Sequence, residues 1–191
     1  MKKLFIILIL FSFFSFAEMS FNETLKLAKQ GNNSAQFNLA IMYDQGYGVK
    51  KDYLKAIEWY TKAAEQGHTQ AQFNLAYIYY NGQGVKQDYL KAIEWYRKAA
   101  EQGHTQAQYN LALKYVYGEG VKQDYFKAFK LFKQAADKNY GLAQNNLGVM
   151  YDNGLGVNLN KKKALYYFNL ACNNKIEESC HNYSKLKIQG Y

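Results

Sequence analysis

Cys172 and Cys180 are the only thiols in the chain and stand eight positions apart. A pair at that spacing can form a disulfide, hold a metal, or do thiol chemistry. The last two readings lack partners: His181 adjoins Cys180, but His68 and His104 lie elsewhere, at repeat-equivalent turn positions, and no His/Cys cluster accompanies the pair. An oxidising compartment favours the disulfide, and closing so short a loop would remove about 2.5 kcal/mol of unfolded-chain entropy. Ser184-Lys185-Leu186-Lys187 formally fits Ser-x-x-Lys. One chance match is expected in so lysine-rich a chain, and no Ser-Asp-Asn or Lys-Thr-Gly accompanies it. Gly46-Tyr47-Gly48 and its later copies have Gly-x-Gly spacing, but no strand precedes them and no third glycine follows, which excludes a phosphate cradle. Neither a cofactor nor a metal is expected.

The compartment is read from the N-terminus. Lys2 and Lys3 precede an apolar run from Leu4 to Phe16 that ends at Ser15-Phe16-Ala17. This pattern predicts a secretory signal peptide over residues 1–17, cleaved after Ala17. The run is shorter than the roughly 20 residues a spanning helix needs. No second run of spanning length follows, so the mature chain is expected in the periplasm or outside the cell, without a membrane span. The formal charge of +9 falls to +7 without Lys2 and Lys3, as 22 basic residues then face 15 acidic ones. Arg97 is the sole arginine, which argues against nucleic acid, whose bases and phosphates favour arginine forks.

Elements that position these residues recur at a fixed period. AQFNLA begins at Ala35 and Ala71, AQYNLA at Ala107 and AQNNLG at Ala143, a spacing of 36 each time. Ser179-Cys180-His181-Asn182-Tyr183 continues the register in degraded form. Ala35, Leu39, Met42 and Tyr43 fall on one face of a first helix, and Ala56, Tyr60, Ala63 and Ala64 on one face of a second. Thr69 with Gln72, Thr105 with Gln108 and Asn33 with Gln36 predict capping boxes for the first helices, lost at Gly141. Asp52, Asp88, Asp124 and Asn160 are expected to cap the second helices. Glycines, with Asn139 in one copy, break the chain between them. The expected organisation is a half-repeat over 18–31, four repeats over 32–67, 68–103, 104–139 and 140–175, and a capping helix over 176–191. Nine helices thus follow the half-repeat. One hairpin cannot bury its apolar face alone, so neighbours must stack. Trp59 and Trp95 are expected to be structural.

The string A-x-x-x-L-[GA]-x-x-Y-x-x-G-x-G-V-x-x-[DN], followed by K-A and W-Y-x-K-A-A-x-Q-G, resembles the Sel-one-like repeat family, relatives of the tetratricopeptide repeats. That resemblance implies an all-α, right-handed α-solenoid of helix-turn-helix repeats. It also implies an adaptor that holds protein segments in a concave groove lined by first helices. The cysteine spacing is similar to the cysteine-rich branch of the family, some members of which are described as penicillin-binding or β-lactamase proteins. β-Lactam chemistry is therefore the alternative expectation, and enzymatic activity is left open.

If first helices line the concave side, the side chains opposite their buried stripe face the ligand. These are Phe37, Ile41 and Asp44; Phe73, Tyr77 and Tyr80; Tyr109, Leu113 and Tyr117; and Asn145, Val149 and Asp152. Asn38, Asn74, Asn110, Asn146 and Asn182 recur at one position of every copy. They read either as clamps on a peptide main chain or as an internal ladder between helices. Lysines concentrate on the second helices, Lys55, Lys91, Lys127 and Lys130 among them, with Arg97. They form a solvated face, or one with weak attraction to anionic envelope polymers.

Overall fold

A computed structural model describes residues 20–191, so the expected signal peptide lies outside the described residues. Among these residues the chain is all-α, with ten helices and no strand. None of the helices is long and apolar enough to cross a membrane. The chain divides into two compact units, one ending at Gln66 and the other running from Gly67 to Tyr191.

The first unit contains α1 (Phe21–Lys29), α2 (Asn33–Gln45) and α3 (Tyr53–Glu65). Alanines 28, 35, 40, 56, 63 and 64 are essentially inaccessible, so the helices approach closely, and Leu39, Trp59 and Tyr60 fill the space between them. Phe21 meets Tyr43 edge-on at 5.7 Å, and Phe37 packs on Tyr60 at 5.9 Å.

The second unit contains α4 (Thr69–Asn81), α5 (Tyr89–Glu101), α6 (Thr105–Tyr117), α7 (Tyr125–Ala136), α8 (Gly141–Asn153), α9 (Lys161–Asn173) and α10 (Glu177–Ile188). Each helix packs on its chain neighbour from α5 to α10, and α4 packs on α5. Trp95 is buried like Trp59, as repeated aromatics at helical spacing should be.

Asp52, Asp88, Asp124 and Asn160 each accept a hydrogen bond from the backbone N–H three residues on, at 2.9 to 3.1 Å. Each also donates its own N–H to the carbonyl of a tyrosine at the end of the preceding helix, as Asp88 does to Tyr79 at 2.9 Å. One residue thus closes the turn and starts the next helix. Gly82 carries the left-handed φ of 68° that stops α4, and Asn139 carries 61° at the turn after α7.

The first-helix caps differ from expectation. The capping side chains are Asn32, His68 and His104, one residue before the predicted Asn33, Thr69 and Thr105. The histidine Nδ1 atoms accept from Ala71 and Ala107 N–H at 3.2 Å. Tyr140 stands at the fourth position and makes no side-chain cap. The predicted capping-box glutamines are buried instead. Gln36 donates to the Ala28 carbonyl at 3.2 Å and accepts from Gln66 at 2.7 Å. Gln108 donates to the Ala100 carbonyl at 3.1 Å, and Gln72 accepts from Gln102 at 2.7 Å. These amides join helices to one another rather than closing a cap.

Candidate functional site

The face opposite the buried stripe of each first helix is incompletely covered. In the first unit α2 presents Phe37 and Ile41, half-buried, and Asn38, exposed. In the second unit α4 presents Phe73, Asn74, Tyr77 and Tyr80, α6 presents Tyr109, Asn110, Leu113 and Tyr117, and α8 presents Asn146. Tyr77 and Tyr117 are the most open, at 50% and 66% exposure.

The half-buried rings are held in place by the start of the following repeat. Phe73 stacks on the His104 imidazole at 4.6 Å and leans on Tyr96 at 5.9 Å. At the equivalent place Tyr109 meets Tyr140 edge-on at 5.2 Å and Phe132 at 5.6 Å. The capping position therefore has two roles, since His104 caps α6 through Nδ1 and supports Phe73 with its ring. Its Nε2 lies 3.1 Å from Gln70 Oε1, which makes Nε2 the protonated nitrogen and leaves Nδ1 to accept. Burial holds the His104 pKa below the usual histidine range, with the Lys138 ammonium adding to the shift.

The recurring asparagines take up different partners. Asn110 donates to the Tyr96 hydroxyl at 3.3 Å. Asn74 accepts from Gln70 on its own helix at 3.0 Å, and Asn146 donates to the Leu142 carbonyl at 3.0 Å. Burial pushes the Tyr96 phenol up to about 12, partly countered by the Asn110 bond. It raises Tyr109 too, against a hydrogen bond from Asn146.

Three residues expected on this face are already engaged. Asn145 is buried and accepts from the Ser179 hydroxyl at 2.6 Å, so it faces α10 rather than a ligand. Asp152 is ion-paired with Lys161 at 2.7 Å, and Asp44 accepts from Gln45 at 2.6 Å.

A charged cluster that the repeat pattern does not predict lies beside these aromatics. Lys114 is buried, its ammonium 2.7 Å from Glu119 and 3.5 Å from the centroid of the Tyr80 ring, while the Tyr80 hydroxyl donates to the same Glu119 oxygen at 3.1 Å. The Lys114 hydrogen bond holds the Glu119 carboxyl below its usual range, and the Tyr80 bond works in the same direction. The signal was present as a departure from the period, because the equivalent positions are Met42, Ile78 and Met150.

Many second-helix cations are also engaged locally. Lys55, Lys91, Lys127 and Lys163 sit 5.1 to 5.4 Å from the ring centroids of Tyr43, Tyr79, Tyr115 and Tyr151. Lys62, Lys98 and Lys133 pair with Glu58, Glu94 and Asp137 at 2.7 to 3.0 Å. Ser184 and Lys187 lie exposed on α10. Cys172 and Cys180 form a disulfide, with Cα atoms 4.7 Å apart.

The Sel1 repeat family matches residues 33–68, 69–104, 105–140 and 141–175. The chain is a Sel1-repeat protein. Its fold class is accordingly the α-solenoid of helix-turn-helix repeats. Among solved structures, a protective antigen present in uropathogenic Escherichia coli strains, displaying an SLR fold, is 36% identical with a TM-score of 0.85. The match covers 90% of this chain and 37% of that one. A Sel1 repeat protein from Oxalobacter formigenes is 35% identical with a TM-score of 0.79, over 82% of this chain and 64% of that one. This Sel1-repeat chain thus spans less than two thirds of the length of either. Cysteine-rich protein B of Helicobacter pylori is 29% identical with a TM-score of 0.54, over 71% of this chain and 98% of that one. No curated protein sequence matches significantly.

Proposed function

We propose that this Sel1-repeat protein is an exported scaffold that holds a segment of another protein on the aromatic-amide face of its first helices. Sel1 repeats generally mediate protein interactions, and the chemistry of that face supports the finer reading. The carrying observation is the set of half-buried rings, Phe73, Tyr80 and Tyr109, beside the exposed Tyr77 and Tyr117 and the amides Asn74, Asn110 and Asn146. Rigid aromatics bury area at low entropy cost, and amides can satisfy the main-chain groups of a bound peptide. In the first unit Phe37, Asn38 and Ile41 offer the same chemistry. Export is supported by the Lys2-Lys3 and apolar pattern and by the disulfide, which is characteristic of oxidising compartments.

In-cell crosslinking and capture with the mature protein tests this reading, with a Phe73→Ala/Tyr77→Ala variant shown to stay folded. One discrete partner captured by the wild type and lost in the variant is the expected result. Identical profiles from both proteins would sink it.

A further inference from the structure

The third repeat departs from its neighbours on the other helical layer. In the fourth repeat Tyr151 is covered by Tyr167, the rings stacked at 5.6 Å and 8° from parallel. One period earlier the pair is Tyr115 and Leu131, so the second ring is missing. A cleft of about 330 Å³ stands there, floored by Leu111, Tyr115 and Leu131 and rimmed by Arg97, Lys127 and Lys130. The first two repeats carry Trp59 and Trp95 at the Leu131 position, so the loss of a ring is particular to the third.

The charge changes at the same place. Lys130 occupies the position of Glu58 and Glu94. Arg97, the only arginine, occupies the position of Thr61. Glu101 is the one acid among the residues that line this cleft. Lys127 lies 3.5 Å from Asp124 and 5.4 Å from the Tyr115 centroid, and Lys130 stands 4.3 Å over the Phe126 ring.

A third departure leaves a buried acceptor unpaired in the cleft wall. Gln72 and Gln144 accept hydrogen bonds from Gln102 and Asn174, but Lys138 stands at the corresponding position and donates to the Gly103 carbonyl instead. Gln108, which lines the cleft and is 4% exposed, is left with Oε1 accepting no hydrogen bond.

From the missing ring, the reversed charge and the orphaned acceptor, we infer that this cleft binds a small planar aromatic anion that carries an N–H or O–H donor. Its ring takes the place against Tyr115 that Tyr167 takes against Tyr151, where offset stacking is favourable. Its acid group meets the cationic rim formed by Arg97 and Lys130, and its donor reaches Gln108. The volume lies within the range of small-molecule sites. The inference is independent of the first-helix face, because α5 and α7 supply the rim.

The test uses the mature full chain and anilinonaphthalene sulfonate, an aromatic anion with one N–H, beside the uncharged phenylnaphthylamine. The wild type is expected to bind the sulfonate at one saturable site. Leu131→Tyr, which restores the ring of the fourth repeat, should weaken binding by at least about tenfold at an unchanged melting temperature. Leu131→Phe serves if the tyrosine variant does not fold. Arg97→Thr combined with Lys130→Glu should weaken the sulfonate by about tenfold and leave the neutral dye unaffected. Wild-type affinity in a folded ring-restored variant would mean adventitious dye binding only and would overturn the site. Absence of saturable binding to the wild type, or equal loss of both dyes in the charge variant, would overturn it as well.

Discussion

The junction between α5 and α6 and the junction between α9 and α10 occupy the same places in the period but are joined differently. At the first, Gln108 donates to the Ala100 carbonyl at 3.1 Å. At the second, the equivalent positions are Cys180 and Cys172, and the link is covalent. The helices around the links explain the need. α6 buries six residues and is capped by His104. α10 buries only Ser179 and Leu186, and Ile176 gives it no side-chain cap. Where packing and capping are sufficient one buried amide completes the junction, and where they are thin a crosslink does.

Removing the crosslink should give the largest effect. Cys172→Ser/Cys180→Ser is expected to lose about 2.5 kcal/mol in urea unfolding, on the chain-entropy estimate for a short loop. Cys172→Ala/Cys180→Gln, which copies the α5–α6 junction, should recover about 1 kcal/mol of that, the net worth of one hydrogen bond. Equal stability of the two variants would show that the amide link depends on its surroundings.

The next effect sharpens the contrast inside the second unit, where the third repeat has Lys114 and Glu119 in place of the fourth repeat's Met150 and Leu155. Glu119→Gln should cost about 1 kcal/mol, a charged hydrogen bond discounted for the partial exposure of the carboxylate. Because the folded-state pKa of Glu119 is depressed, its contribution is complete above the unfolded value and is lost as pH falls through the folded one. The Gln variant should therefore show a flatter acid limb in a pH series of melts. Lys114→Met/Glu119→Leu, which installs the apolar residues of the fourth repeat, should cost less than Glu119→Gln, because it leaves no buried ammonium short of its carboxylate. A severe loss in the double variant would mean that the Tyr80 contact contributes more than the ion pair.

The frame of the fold was legible because it rests on repeated local chemistry. Asp52, Asp88, Asp124 and Asn160 cap the helices their positions suggest, and the alanines and leucines of the AQFNLA strings are buried. The first-helix caps were displaced by one residue because histidine Nδ1 accepts as asparagine does, whereas a threonine three places before a glutamine suggested the capping box. Asn145 departs from its expected face because its partner, Ser179, lies 34 positions away, beyond the reach of helical periodicity. The aromatic face was legible as a pattern. Lys114 and Leu131 were not, because they carry information only as exceptions to the period, set against the structure of their neighbours.

The smallest effect separates two caps that are equivalent in geometry but not in titration. Asn32 and His104 each accept the N–H three residues on, at 2.8 and 3.2 Å, but only the imidazole can be protonated, and protonation removes the lone pair that accepts. The folded state lowers the His104 pKa, chiefly through desolvation, so the unfolded chain binds more protons near the histidine range and stability rises with pH there. The contribution is complete above the ordinary value of about 6.5 and is lost as pH falls toward the lowered folded value. His104→Asn should keep the cap at neutral pH, because asparagine caps at least as well, should lose what the stack on Phe73 contributes at every pH, and should lose less further stability than the wild type as the solution is acidified. His68, which is shifted in the same direction by burial, should behave likewise, so the double replacement is expected to flatten the slope further. An acid slope unchanged in both variants would place the titration in the carboxylates with lowered pKa values, Glu119 and Asp124, and not in the histidine caps.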